Sequence, residues 1–271
     1  MGGVIAMLFL LLAVSGCGSS GRSRPVSTVP TTEQPATRTI EVTEATLHDA
    51  QRRAVARLRR ALRNVEGDPF VLIGVAILAE QYDIPDLLPY RRAAQRLADT
   101  ASSEAKVQMR LIDPAAVADP AEVATTRGNV RVVAEALSCD QRGSPPASLP
   151  RLRSAVDAGG YSTTHALVAI RFRDDLGCVT PDRDALVDRG VQVLNRELSS
   201  ASRVDDLYLE RAEVVRMSAG EDAVPSDVVG RVLAAQEPDG SWEHGNLHST
   251  QLGLAIVLQE LFGASDRPLV R

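Results

Sequence analysis

A few residues have types and spacings that could do chemistry. His244 and His248 stand four apart with Glu243 beside the first. On one helix they would share a metal-binding face. Gly245 and Asn246 lie between them and read as a loop, so no metal site is assigned. Cys139 and Cys178 are not flanked by Cys-x-x-Cys or His-x₃-His spacing, which argues against zinc. They form either a disulfide or two buried thiols. The acid pairs Asp174-Asp175 and Asp205-Asp206 fall where exposed helix charges are expected. His48 looks ordinary near the start of a helix. His165 is a core histidine or, on the sharper reading, a base. Gly-x-Ser-x-Gly, His-Glu-x-x-His and Walker loops are absent. No catalytic residue is assigned and no cofactor is expected.

Composition bounds the function class. The 271 residues are 44% hydrophobic and 24% charged, which excludes wholesale disorder. A net charge of -5 argues against a nucleic-acid partner. The basic residues are arginines except for Lys106.

The first residues read as an address. Val4–Val14 is an apolar run of signal-peptide length, too short to span a bilayer comfortably. Val14-Ser15-Gly16-Cys17 follows and resembles the lipobox of bacterial lipoproteins. That resemblance implies acylation of Cys17, cleavage before it and acylation of the new N-terminus, a durable anchor. One departure is that no Lys or Arg precedes the apolar run. Gly18 rather than Asp follows the cysteine, so the resemblance implies no inner-membrane retention signal. Residues 18–39 are rich in Ser, Thr, Pro and Gly and read as a tether. The expected organisation is a signal peptide over 1–16, a lipidated Cys17 with its tether over 17–43, and one all-helical domain over 44–271. Export makes the Cys139–Cys178 disulfide the expectation.

The body shows helical periodicity and almost no alternation of period two. Glu44–Val65 places Leu47, Ala50, Ala54, Leu58, Ala61, Leu62 and Val65 on one stripe. Arg52, Arg53, Arg57, Arg59, Arg60 and Arg63 lie off it, as a solvated face or as a surface for anionic lipid. Phe70–Ala79 is apolar on all sides and predicts a buried inner helix. Further helices are expected over Asp86–Ser102, Ala121–Ser138, Leu149–Ala158, Thr163–Leu176, Asp182–Ser199, Val204–Ser218, Ser226–Gln236 and Ser249–Phe262. Asp113-Pro114, Asp119-Pro120 and Thr180-Pro181 each pair a capping residue with a Pro at the first helical position. Ala121–Ser138 and Thr163–Leu176, separated by one returning helix, should be parallel. That would bring Cys139 and Cys178 to one end of the layer.

A weak repeat underlies these helices. Gly160-Tyr161 followed by Thr164-His165 resembles Gly240-Ser241-Trp242 followed by His248-Ser249-Thr250. Thr163 and Thr250 are 250 − 163 = 87 residues apart, two periods of about 43. The run Gln236-Glu237-Pro238-Asp239-Gly240-Ser241-Trp242, with Ser249-Thr250 opening an apolar helix, resembles the α/α-toroid repeat. That repeat occurs in squalene–hopene cyclases and prenyltransferase β subunits. The resemblance implies that Gln236 and Trp242 tie the turn to neighbouring helices. The fold expected is all-α, with four or five helical hairpins stacked as an incomplete α/α toroid or irregular α-solenoid. Its chemistry does not carry over. The acid pairs lack the Asp-x-Asp-Asp pattern, aromatic residues are 3% of the chain, and pairing Cys139 with Cys178 leaves no thiolate for zinc.

Trp242 is either the structural wedge of the turn or a ligand-stacking surface. With Tyr161, His165 and His248 it marks the repeat-equivalent positions where a pocket could be lined. The first function expected is a lipid-anchored exported protein of the cell or outer membrane. Its helical domain would bind or scaffold an envelope protein, glycan or lipid. The alternative is a toroid-superfamily enzyme acting on an isoprenoid or polysaccharide. The enzyme needs a deep cavity with a convergent acid; the binding domain predicts a filled or shallow centre.

Overall fold

A computed structural model describes residues 39–63, 69–97, 103–113, 115–117, 119–265 and 267–270. The apolar run Val4–Val14, Cys17 and the tether up to residue 38 lie outside the described residues. Among the described residues the fold is all-α. Its helices are α1 (Glu44–Leu62), α2 (Pro69–Gln81), α3 (Pro89–Leu97), α4 (Ser103–Gln108), α5 (Pro120–Thr125), α6 (Gly128–Leu137) and α7 (Cys139–Arg142). There follow α8 (Ser148–Val156), α9 (Gly160–Asp175), α10 (Arg183–Ser200), α11 (Asp206–Ala219), α12 (Val228–Ala235) and α13 (Leu247–Phe262). None of the described helices is long and apolar enough to cross a membrane.

Local chemistry sets the helix ends. Thr43 and Thr46 form a reciprocal capping box at the start of α1. Asp119 accepts from the Ala121 amide with Pro120 at the first helical position, as its sequence predicts. Thr180 does not cap α10. Its hydroxyl accepts from Arg173 Nε at 2.9 Å, and Asp182, with φ 59°, precedes the helix. The single helix expected over Ala121–Ser138 is broken, because Thr126 is extended and Gly128 takes φ 56°. Helix α4 was not anticipated: its six residues are too few to show a period.

Helix α2 is buried on all sides, as its uniform apolarity requires. The neighbour relations run in series: α6 packs on α9, α9 on α11, α11 on α13 and α13 on α2, while α4 touches both α2 and α6. A second set covers them. Helix α8 packs on α6 and α9, α10 on α9 and α11, α1 and α12 on α13, and α3 on α2. Gly74 of α2 faces Gln251 of α13, and Tyr82 beyond α2 meets Phe262 at the end of α13, so these two helices are parallel.

Cys139 and Cys178 are joined in a disulfide, with Cα atoms 6.3 Å apart. They lie just past the ends of the packed helices α6 and α9, as the helix order predicts.

The Asp-Gly-Ser-Trp turn is locked into the domain. Trp242 is 0% exposed, and its Nε1 donates to Val232 O at 2.8 Å. A Cβ on Gly253 would lie 2.6 Å from the indole, so only glycine admits the ring there. Gln236 Nε2 donates to Ala50 O at 3.0 Å, and a Cβ on Gly240 would lie 2.3 Å from Arg53 O. The arginines of α1 grip the same turn. Arg57 Nε pairs with Asp239 Oδ2 at 3.1 Å, Arg60 Nη2 donates to Asp239 O at 2.9 Å and Arg53 Nη1 reaches Glu237 O at 3.5 Å. Arg52 and Arg59 pair with Asp49 and Asp86. Arg53 and Arg57 are therefore half-buried against the turn, while Arg52, Arg59, Arg60 and Arg63 stay exposed, as a solvated face requires.

Candidate functional site

The N-terminal ends of α9, α11 and α13 gather the polar side chains singled out by the sequence, with Asp206 at their centre. Asp206 opens α11, after the cap Asp205, whose side chain accepts from the Tyr208 amide. Asp206 Oδ1 accepts from Ser249 Oγ and lies against His248 Nδ1, both at 2.8 Å, and Oδ2 accepts from Tyr161 OH at 2.9 Å. Three helices thus converge on one carboxylate. Burial on its own would raise that carboxyl. The His248 imidazole, with the Ser249 and Tyr161 hydroxyls, outweighs it and holds Asp206 below the usual carboxylate range. The helix N-terminus acts in the same direction. Burial and the Asp206 charge push the Tyr161 phenol up.

One turn along α11, Glu210 accepts from Thr164 Oγ1 and lies 3.5 Å from His165 Nδ1. His165 Nδ1 is also 2.6 Å from Tyr161 O, so a proton on Nδ1 donates to that carbonyl. Ser249 Oγ touches a second acid, Glu243 Oε2, at 2.6 Å. A hydroxyl has one proton, so Ser249 donates to Asp206 or to Glu243 but not to both at once. Glu243 and His244 hold φ values of 48° and 56°, sparsely populated for side-chain-bearing residues. Asn246 Nδ2 donating to Glu243 at 3.1 Å, and Glu237 accepting from the His244 amide at 2.6 Å, hold that loop.

Two turns from Asp206 is Glu213. Burial pushes its carboxyl up to about 7, the Glu210 charge adds to the rise and His248 opposes it. Glu213 lines a recess of about 60 Å³ between α2, α9, α11 and α13, together with Tyr82, Arg171, Met217 and Gln259. That is room for a few waters. Gln259 is 5% exposed, and its Oε1 has no hydrogen-bond partner.

Of the four residues expected to line a pocket, the structure brings Tyr161, His165 and His248 together. Trp242 is not in the wall: it is buried in the core beneath the turn. His244 and His248 do not share a helix face, because His244 is exposed in the strained loop and His248 belongs to α13. Among the described residues no group of three or more His, Cys, Asp or Glu could hold a metal ion. The acid pairs are not simply exposed charges. Asp206 is 16% exposed, and Asp175, 9% exposed, accepts from the Leu269 amide at 2.7 Å. The sequence reads Asp206 as an exposed helix charge and singles out neither Glu210 nor Glu213. Their signal was the spacing i, i+4, i+7, which places all three on one face of α11.

No family model, curated protein or solved structure matches this chain.

Proposed function

We propose that this chain is a lipid-anchored exported envelope protein whose helical domain binds a partner and does not turn over a substrate. The Val14-Ser15-Gly16-Cys17 sequence after the apolar run supports the anchor. The Cys139–Cys178 disulfide fits an oxidising compartment. The series of neighbours from α6 through α9, α11 and α13 to α2, with α4 touching both of its ends, supports reading the domain as a small α/α toroid. The net charge of -5 supports a partner other than nucleic acid: a protein, glycan or lipid of the envelope.

The size of the interior carries the binding reading. Small-molecule sites commonly occupy about 300–1,000 Å³, and the recess at the meeting point of the helices is about 60 Å³. Tyr161 and His248 use hydrogen-bonding capacity to join helices, and His165 uses it on the Tyr161 carbonyl of its own helix. One observation favours the enzyme reading instead: Glu213 is an interior acid that keeps its proton near neutrality. An isoprenoid or sugar has no room beside it, so this reading stands second.

Metabolic labelling with an alkynyl fatty acid tests the anchor. The wild-type chain should label and partition with membranes, and Cys17→Ser should do neither. Equal labelling of the two would overturn the proposal.

A further inference from the structure

The residues after α13 cross the recess. Ala264, Ser265 and Leu269 line it together with Glu213 and Gln259. Its described residues form no helix of their own and are held at separate points. Gly263 O accepts from Tyr82 OH at 3.5 Å, and Arg267 O accepts from Gln81 Nε2 at 3.1 Å. The Arg267 guanidinium pairs with Asp83 at 2.6 Å and donates to Glu80 O. Asp175 Oδ2 accepts from the amides of Leu269 at 2.7 Å and Val270 at 3.4 Å, and Val270 is buried. The ion pair to Asp83 is solvent-exposed and therefore weak. Several of these bonds are solvent-exposed, and backbone held by exposed bonds opens locally at lower free energy than a packed helix.

We propose that the described residues after α13, 263–265 and 267–270, form a strap that closes over the Glu213 recess while Glu213 carries a proton and releases as Glu213 ionises. The groups facing Glu213 explain why ionisation strains the closed form. On α11 the Glu210 carboxylate lies one turn away and repels the charge. From α13, His248 attracts it from a distance, and Gln259 presents an acceptor that a protonated acid satisfies better than a carboxylate. From α9, Arg171 lines the recess, but its Nε is bound to Asp175 at 3.1 Å. From the turn after α2, the Tyr82 phenol is pushed up to about 12 by burial and by the Glu213 charge. On the strap, Arg267 is engaged by Asp83 and by Glu80 O. A carboxylate in the closed recess therefore meets few free donors and gains hydration when the strap lifts. The inference does not depend on the anchor or on the partner proposed above.

Hydrogen exchange of the full chain tests it at the Leu269 and Val270 amides. With Glu213 at about 7 when closed and at its ordinary 4.5 when open, linkage predicts that opening increases roughly tenfold from pH 6 to pH 8. Protection of these two amides, corrected for intrinsic exchange, should fall by that factor. Amides of α6 and α9 beside the disulfide should not change. In Glu213→Gln the strap amides should stay protected at both pH values. Should that variant fail to fold, Glu210→Gln serves: removing the neighbouring charge should move the fall to lower pH. Flat protection in the wild type, a tenfold fall retained in Glu213→Gln, an unmoved fall in Glu210→Gln or an equal fall in every helix would each overturn the strap.

Discussion

Carboxylates gather at the N-terminal ends of α9, α11 and α13, whereas several helix C-termini in the same domain are served by buried arginines. Arg231, 5% exposed, donates to Ala201 O at 2.7 Å beyond α10, and its guanidinium lies 4.6 Å from the Tyr208 ring centroid. Arg110, also 5% exposed, donates to Leu137 O at 2.6 Å at the end of α6 and pairs with Asp140. Arg173, 3% exposed, donates to Thr180, Ser144 and Val179 O beyond α9. Unpaired amides and positive dipole ends favour acids at one end of a helix, and orphan carbonyls favour cations at the other. The planar guanidinium serves several carbonyls at once.

The contrast sharpens within α11. Asp206 at its start has donors from two other helices and is held below its usual range; Glu213, two turns in, is raised to about 7. Burial raises both carboxyls, and the donors met at the start of α11 reverse the sign at Asp206 alone.

Four perturbations would break or sharpen this contrast, from the largest effect to the smallest. Trp242→Ala removes the wedge beneath the turn that leads into α13. It should cost about 3–5 kcal/mol in denaturant unfolding, and a variant as stable as the wild type would show that the turn does not hold that end. Replacing Cys139 and Cys178 by serine opens a loop of 39 residues, which the chain-entropy account values at about 3–4 kcal/mol. A melting temperature that is unchanged, and equally insensitive to reductant, would show that the α6–α9 end needs no covalent tie.

Asp206→Asn replaces an acceptor of three bonds and should destabilise by about 2–3 kcal/mol at pH 7. Its folded carboxyl lies below the ordinary 3.8. The Asp206 contribution to stability is therefore fully present above that value and is lost as pH falls through the lower folded one. Urea midpoints of wild type and variant should converge in acid; a constant gap would rule out the ionic role. Glu213→Gln has the opposite sign. Folding raises the Glu213 carboxyl from 4.5 to about 7, so the wild type loses stability as pH rises between those values. The glutamine variant should be more stable by about 2 kcal/mol at pH 8, since partial solvent access reduces the full linkage value. Equal midpoints at pH 8 would mean that Glu213 is solvated.

Much of the fold is legible in the sequence because it rests on local chemistry. The all-round apolarity of α2 and the Asp119-Pro120 cap each depend on neighbours within a few residues, whereas the Gly240-Ser241-Trp242 turn, gripped from α1, was legible through its resemblance to the toroid repeat. The disulfide was reachable because the expected export favours oxidation and helix order places Cys139 and Cys178 at one end. The polar centre was less legible, for a physical reason. Asp206 draws its donors from Tyr161, 45 positions away, and from His248 and Ser249, 42 and 43 positions away. From its own helix it looks like an ordinary exposed charge at an N-terminus. Trp242 shows the converse: either reading of its side chain fitted the turn, and the close approach of Gly253 decides for the core.

The central contrast is most directly tested by side-chain carboxyl NMR, following Asp206 and Glu213 in one pH titration. The account predicts that Asp206 titrates below 3.8 and Glu213 near 7, on a single helix. Both carboxyls titrating together near 4 would contradict it.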